Sequence, residues 1–377
     1  MTKTLFITND FPPRPGGIQT FVYEIVRRFE PSQVSVLTSS WAGDAQFDAL
    51  HDFEVVRAKT QMLLPTKKTF ALAKEIIERN QIEQVIFGAS APLGLLAGPL
   101  RKLGIKKIVA FTHGHEVGWA KTPVTKQLLR KISNEVDVLT YLTEYTKNQI
   151  LKGLPKSAAA KMHQLLPAVD SQQFNTLNRD RGNELRSQIG FADRPVIVSV
   201  SRLMARKGHD QLIKTLPKVQ EQIPGAALVI VGEGPYRNKL EKFVSQLSLE
   251  QDVHFTGKVP FADLPKWYAV GDIFAMPCRT RSAGWDVEGL GIVYLEASAT
   301  GLPVIAGDSG GAPEAVESDQ SGYVVSGTNQ DELVNRIVQL LADAQLRDQM
   351  GQFGRNWVQT NWTWENTFAK LNALISH

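Results

Sequence analysis

The chain has 377 residues, 42 Lys+Arg against 38 Asp+Glu (net +4), and 43% hydrophobic residues without a low-complexity tract, which excludes a disordered or fibrous protein and favours two globular domains. A single cysteine, Cys278, excludes an internal disulfide and a cysteine-built zinc cage, and fits a reducing compartment. The charge is uneven: residues 1–165 hold 22 Lys+Arg against 14 Asp+Glu, and residues 166–377 hold 20 against 24. A basic half beside a mildly acidic one is compatible with a domain that meets an anionic surface, or with an ordinary solvated face.

The first apolar stretch, in MTKTLFITNDFPP, is too short for a signal peptide and reads as a buried strand. Runs at Leu5–Thr8, Val34–Thr38, Val55–Val56, Val85–Phe87, Ile108–Thr112 and Val138–Leu142 read as strands of a first unit. Most are uniformly apolar rather than alternating, as expected of parallel strands covered on both faces. The longest uncharged run, Val85–Leu100, is broken by Gly88, Pro92, Gly94, Gly98 and Pro99 and is shorter than a bilayer span, so a soluble protein is expected.

A second series follows at Val196–Val200, Leu228–Val231, Val253–Phe255, Ile273–Met276, Pro303–Ile305 and Tyr323–Val325, with helices such as Gln211–Gln222 and Asp331–Ala342 between. Two βα series predict an α/β protein of two doubly wound domains. The boundary is expected within Leu166–Phe174, giving domains 1–168 and 169–357. The last helical stretch, 358–377, either packs on the second domain or crosses back to the first.

Ligands of doubly wound sheets sit at the carboxyl ends of strands, and several such loops are unusual here. Gly16 and Gly17 precede a helix starting near Ile18, either as a structural turn or to let backbone N–H groups approach a ligand. GxGxxG is absent, and no acidic residue closes the second strand, which disfavours a dinucleotide site. The fifth strand runs into His113-Gly114-His115-Glu116. This is compatible with a weak metal pair, a structural histidine, or a hydrogen-bond partner for a sugar at His113.

Arg202 and Lys207, in SRLMARKG, offer a planar fork and a point charge suited to a diphosphate, the alternative being a solvated basic loop. Gly232-Glu233-Gly234-Pro235 reads as a tight turn, and Lys258-Val259 could meet a base through main-chain groups. In DVEGLGIVYLEASATG, Glu288 stands before a helix expected at Ile292–Thr300 and Glu296 two turns inside it. A carboxylate facing a polyol and amides facing a phosphate can grip one ligand together. Walker-A, Asp-x-Asp and GxSxG motifs are absent, so P-loop ATP hydrolysis and metal-clamped diphosphate chemistry are not expected.

As an ordered set, GG at 16–17, HGHE at 113–116, SRLMARKG at 201–208, GEGP at 232–235 and EGLGIVYLE at 288–296 resemble the retaining GT-B glycosyltransferases of family four, over essentially the whole chain. The resemblance implies two Rossmann-like domains facing a cleft, a C-terminal helix crossing back to the first domain, and metal-independent transfer from a nucleoside diphosphate sugar. It implies Gly16 and Gly17 near the donor phosphates and Arg202 and Lys207 on the diphosphate. Val259 falls to the base, Glu288 to sugar hydroxyls, Gly291, Ile292 and Val293 to phosphate and sugar, Glu296 to the ribose and His113 to the reacting sugar. One departure is LPAVD before residue 170, where many relatives carry an asparagine-glycine pair.

Within the family the chain is most similar to mannosyltransferases that use GDP-mannose and act on phosphatidylinositol mannosides, which implies a peripheral protein at the cytoplasmic membrane face with no nucleic-acid partner. Lys121, Lys126, Arg130 and Lys131 are expected on one helix with an apolar face of Val124, Leu128 and Ile132, and Lys67, Lys68 and Lys74 form a second basic cluster. The alternatives are a UDP-sugar transferase on another acceptor and a nucleotide-binding module without turnover.

Overall fold

A computed structural model describes residues 2–376. The chain divides into two compact units, residues 1–167 with 364–377, and residues 168–363. The first is built on strands β1 (Thr4–Thr8), β2 (Val34–Ser39), β3 (Glu54–Ala58), β4 (Gln84–Phe87), β5 (Lys107–Ala110), β6 (Val138–Tyr141) and β7 (Met162–Gln164). All pair in parallel, in the order β3-β2-β1-β4-β5-β6-β7. The second holds β8 (Val196–Val200), β9 (Ala227–Val231), β10 (Val253–Gly257), β11 (Ile273–Met276), β12 (Val304–Gly307) and β13 (Gly322–Val325), again parallel, in the order β10-β9-β8-β11-β12-β13. The doubly wound α/β class read from the sequence is the observed one.

The apolar strands become central because helices cover both faces. β1, β8 and β9 are buried at every position. In the first unit one face packs Leu5, Ile7, Val85 and Ile108 against Ala73, Ile76 and Leu129. The other packs Phe6, Val36, Ile86 and Phe111 against Val22, Ile25, Leu371 and Ile375. The last helix, Trp364–Ile375, therefore completes the core of the first unit, and Gln84 Nε2 donates to the Ile375 carbonyl at 2.9 Å. The preceding helix, Ala344–Asn361, lies in the second unit, and the chain passes to the first unit between Thr363 and Trp364.

In each sheet the strand order reverses once, between β1 and β4 and between β8 and β11. Loops leaving the carboxyl ends of such diverging strands spread apart and open a crevice. The residues after β1 and β4 (Asn9, Gly88) and after β8 and β11 (Ser201, Pro277) are therefore where ligand chemistry is expected. Strand β7 was not anticipated: its Met-His-Gln sequence is short and polar, and only pairing with β6 makes it a strand.

Candidate functional site

In the second unit, the turn Ala205–Lys207 follows β8 and ends at Gly208, whose φ of 82° admits the left-handed turn. A Cβ there would fall 2.1 Å from the Pro277 carbonyl, so only glycine lets the loops after β8 and β11 close on each other. This brings Lys207 under Glu288: both are buried, and Lys207 Nζ lies 2.6 Å from Glu288 Oε2. Arg206 Nε is 3.7 Å from the same oxygen, and its Nη1 is 3.4 Å from Asp286 Oδ1. Arg279 Nη2 donates to both carboxylate oxygens of Asp210, at 2.9 and 3.0 Å. Below them His209 is fully buried. Desolvation, then Lys207 and Arg279, lower its pKa to about 3, so it is neutral.

Glu288 is fixed from the loop after β12. Its N–H donates to Ser309 Oγ at 3.3 Å, its carbonyl accepts from the Gly311 N–H at 2.9 Å, and a Cβ on Gly310 would meet that carbonyl at 2.0 Å. A buried ion pair of this kind contributes little net stability, because desolving both charges offsets their attraction. Its chemistry is to present one cation and one carboxylate at a fixed place. Gly291, at φ 82°, then opens the helix Ile292–Ala299, directing its first amides away from the helix body.

Beside this cluster is a cavity of about 270 Å³ bounded by Arg202, Glu233, Lys258, Val259, Ile292, Val293 and Glu296. Its walls are mostly apolar with a few polar groups, the character of a small-ligand site. Five of the residues expected to hold a donor meet here. Arg202 is exposed, whereas Lys207 is buried in the ion cluster, so the two cations are not equivalent. Glu233 and Gly232, of the GEGP turn, also border the cavity.

The helix begins at Ile292 as expected, but Glu296 is its fifth residue and so lies one turn from the start rather than two. It is buried, and Tyr268 OH donates to its Oε2 at 2.5 Å. Desolvation raises its pKa to about 7, partly opposed by that hydrogen bond. A separate cavity of about 240 Å³, bounded by Arg179, Asp272, Thr300 and Arg347, lies where β11 and β12 begin, at the opposite ends of the strands.

In the first unit, His113 follows β5, with Nε2 2.7 Å from the Gly88 carbonyl after β4. A carbonyl can only accept, so Nε2 carries the proton and Nδ1 is left as an acceptor. Burial lowers its pKa, and Phe21 packs edge-on at 5.4 Å. Glu116 is fully buried and accepts from the His113 N–H at 3.0 Å and Ser90 Oγ at 2.9 Å. The HGHE run is thus a rigid turn, and His115 lies 3.2 Å from Glu116 Oε1. Among the described residues no group of three His, Cys, Asp or Glu is placed to hold a metal. Gly16, at φ 151°, caps the helix Gly17–Val26; a Cβ there would strike Gln19 Oε1 at 2.1 Å, and Gln19 Nε2 donates to Asp10 Oδ1 at 2.7 Å.

The basic face differs from its expected form. Lys121 ends the short helix Glu116–Lys121, whereas Lys126, Arg130 and Lys131 lie on Pro123–Glu135. The buried side of the latter is Leu129, Ile132 and Ser133, while Val124 is 72% exposed. Val124 stands in the first turn of this helix, at its exposed end, so the expected apolar face is not buried there. Arg130 Nε donates to the Gly153 carbonyl at 2.8 Å. Lys67 and Lys68 are exposed on the first turn of Lys67–Asn80, close in sequence to exposed Met62 and Leu64.

Two doubly wound parallel sheets, one with a cavity beside a fixed Lys–Glu pair, define a two-domain protein of the α/β class. Residues 15–173 match the family described as Glycosyltransferase Family 4, and residues 182–357 match Glycosyl transferases group 1. The chain is 45% identical over 379 residues, covering 99% of it and 98% of the relative, to GDP-mannose-dependent alpha-(1-6)-phosphatidylinositol monomannoside mannosyltransferase of Mycolicibacterium smegmatis. It is 43% identical over 376 residues, 99% of it and 97% of the relative, to the monoacylated-acceptor counterpart of Corynebacterium glutamicum. The solved structure of Anabaena HepE in complex with UDP superposes with a TM-score of 0.83 at 19% identity, covering both chains fully, and shows the same fold. The chain belongs to the family-four glycosyltransferases of the GT-B fold.

Proposed function

We propose that this enzyme transfers mannose from GDP-mannose, with retention, to a phosphatidylinositol mannoside lipid. The observation that carries the reading is the 43–45% identity, over nearly whole chains, to relatives named for that donor and acceptor. The pairing of Lys207 with Glu288 beside a nucleotide-sized cavity supports it.

In this reading Val259 meets the base through its main chain and Glu296 accepts from the ribose. Gly16, Gly17, Arg202, Lys207 and the amides of Gly291, Ile292 and Val293 neutralise the diphosphate, and Glu288 accepts from hydroxyls of the mannose. His113, its Nε2–H engaged by Gly88, presents Nδ1 to a sugar hydroxyl. Reaction breaks the bond between the anomeric carbon and the diphosphate oxygen and forms one to the acceptor oxygen on the same face; the acceptor proton passes to the leaving phosphate. Fixed donors on that phosphate are worth on the order of 2.7–4 kcal/mol each in comparable oxyanion sites. The cationic role falls to side chains and helix amides, without a metal ion.

The same reading puts the enzyme at the cytoplasmic face of the membrane, held through Lys67, Lys68, Lys121, Lys126, Arg130 and Lys131. No helix among the described residues is long and apolar enough to cross a membrane. Calorimetry with GDP and UDP in parallel tests the donor: GDP is expected to bind more tightly, and tighter UDP binding overturns the mannose assignment. Loss of mannose transfer to phosphatidylinositol mannosides, with GDP binding intact, would overturn the acceptor alone.

A further inference from the structure

The ribose reading of Glu296 leaves open how one carboxylate is held ready inside an apolar wall. Glu296 is 8% exposed, it borders the cavity, and the Tyr268 hydroxyl is the one protein donor that reaches it among the described residues. That bond occupies Oε2, leaving Oε1 for a ligand. Tyr268 is itself immobile: it is fully buried on the helix Leu264–Tyr268, with Phe174 edge-on at 5.6 Å and Phe274 at 5.8 Å. Its ring cannot turn its hydroxyl elsewhere without disturbing that packing.

We propose that Tyr268 is a positioning residue for the donor nucleoside: by tying down Oε2 of Glu296 it aims Oε1 at the ribose hydroxyls and makes the enzyme select ribose over deoxyribose. The inference rests on the ribose role of Glu296. A carboxylate held by one fixed donor accepts from the vicinal diol in a single geometry. Released, it samples several rotamers, and part of the bond to the sugar is lost.

The hydrogen bond also bears on charge. Buried Glu296 titrates near 7, and the Tyr268 bond favours its ionised form, which is the form that accepts from two hydroxyls. The other charged side chains bordering the cavity are Arg202, Glu233 and Lys258. Donor affinity should therefore rise as pH passes upward through about 7. Without the Tyr268 hydroxyl the midpoint should move to higher pH.

The test compares GDP with 2′,3′-dideoxy-GDP by calorimetry, from pH 6 to 9, for the full-length wild type, Tyr268→Phe and Glu296→Gln. The wild type is expected to prefer GDP by about tenfold or more. Tyr268→Phe should lower that preference at least threefold and shift the pH midpoint upward, with binding of the dideoxy nucleotide unchanged. A merely structural role would weaken both nucleotides together and leave the midpoint in place, which overturns the proposal. If Glu296→Gln keeps the wild-type preference, the ribose reading itself fails. If Glu296→Gln loses it while Tyr268→Phe keeps it, only the positioning role of Tyr268 fails.

Discussion

Lys207 Nζ lies 2.6 Å from Glu288 Oε2, and both side chains are buried, so without a ligand the cation expected on the donor phosphate and the carboxylate expected on its sugar satisfy each other. In the proposed reading, donor entry adds a phosphate to the cation and a sugar hydroxyl to the carboxylate of this pair. Lys207→Met should abolish transfer and, by stranding a buried carboxylate, lower stability by about 3–5 kcal/mol. Lys207→Met with Glu288→Gln should recover most of that stability and none of the activity. Denaturant unfolding and a transfer assay on the same preparations check both halves.

Gly310 is the hinge on which Glu288 is set. At φ 61°, with a Cβ position 2.0 Å from the Glu288 carbonyl, it cannot become alanine without moving the carboxylate. Gly310→Ala should reduce kcat at least tenfold, with a stability loss of about 1–2 kcal/mol. Full activity in this variant would mean that the Glu288 backbone is not held as described.

Neutral, buried His209 makes the second unit acid-sensitive. Its pKa falls from 6.5 to about 3, so the stability it supports is complete above 6.5 and is lost as pH drops from 6.5 toward 3. The loss should reach a few kcal/mol at the low end. His209→Gln should flatten this part of the stability–pH curve, measured by denaturant midpoints at pH 4 and pH 7.

Lys67 and Lys68 stand exposed at the start of their helix, in a segment that also exposes Met62 and Leu64. Reversing both to Glu should weaken flotation with phosphatidylinositol vesicles roughly tenfold or more, and leave binding to neutral vesicles and GDP affinity unchanged. Flotation of the wild type that ignores anionic lipid would return this face to a solvated surface.

Much of this was legible because parallel strands buried on both faces leave continuous apolar runs: Val196–Val200 and Leu228–Val231 announce themselves. β7 does not, since Met162-His163-Gln164 carries no pattern and owes its conformation to β6. Among the cavity residues, Ile292 and Glu296 were readable within one motif and Val259 as part of Lys258-Val259, and the structure brings them together. Tyr268 and Arg279 carried no signal, because their partners, Glu296 and Asp210, are 28 and 69 positions away in sequence. Arg206 and Asp286 sat inside quoted motifs, but spacing alone could not show that one faces the other. The apolar face assigned to Val124 failed because Val124 lies in the exposed first turn of its helix, which spacing alone does not show.

The helix Trp364–Ile375 supplies Leu371 and Ile375 to a core whose other buried members, Phe6, Val22, Phe111 and Leu165 among them, come from the first 165 residues. During synthesis that core therefore waits for residues 364–375. Residues 1–167 emerge with one flank of their sheet uncovered, while residues 168–363 can close their own core first. Removal of residues 364–376 should leave the second unit folded and expose apolar surface on the first unit's sheet, seen as increased binding of a hydrophobic dye.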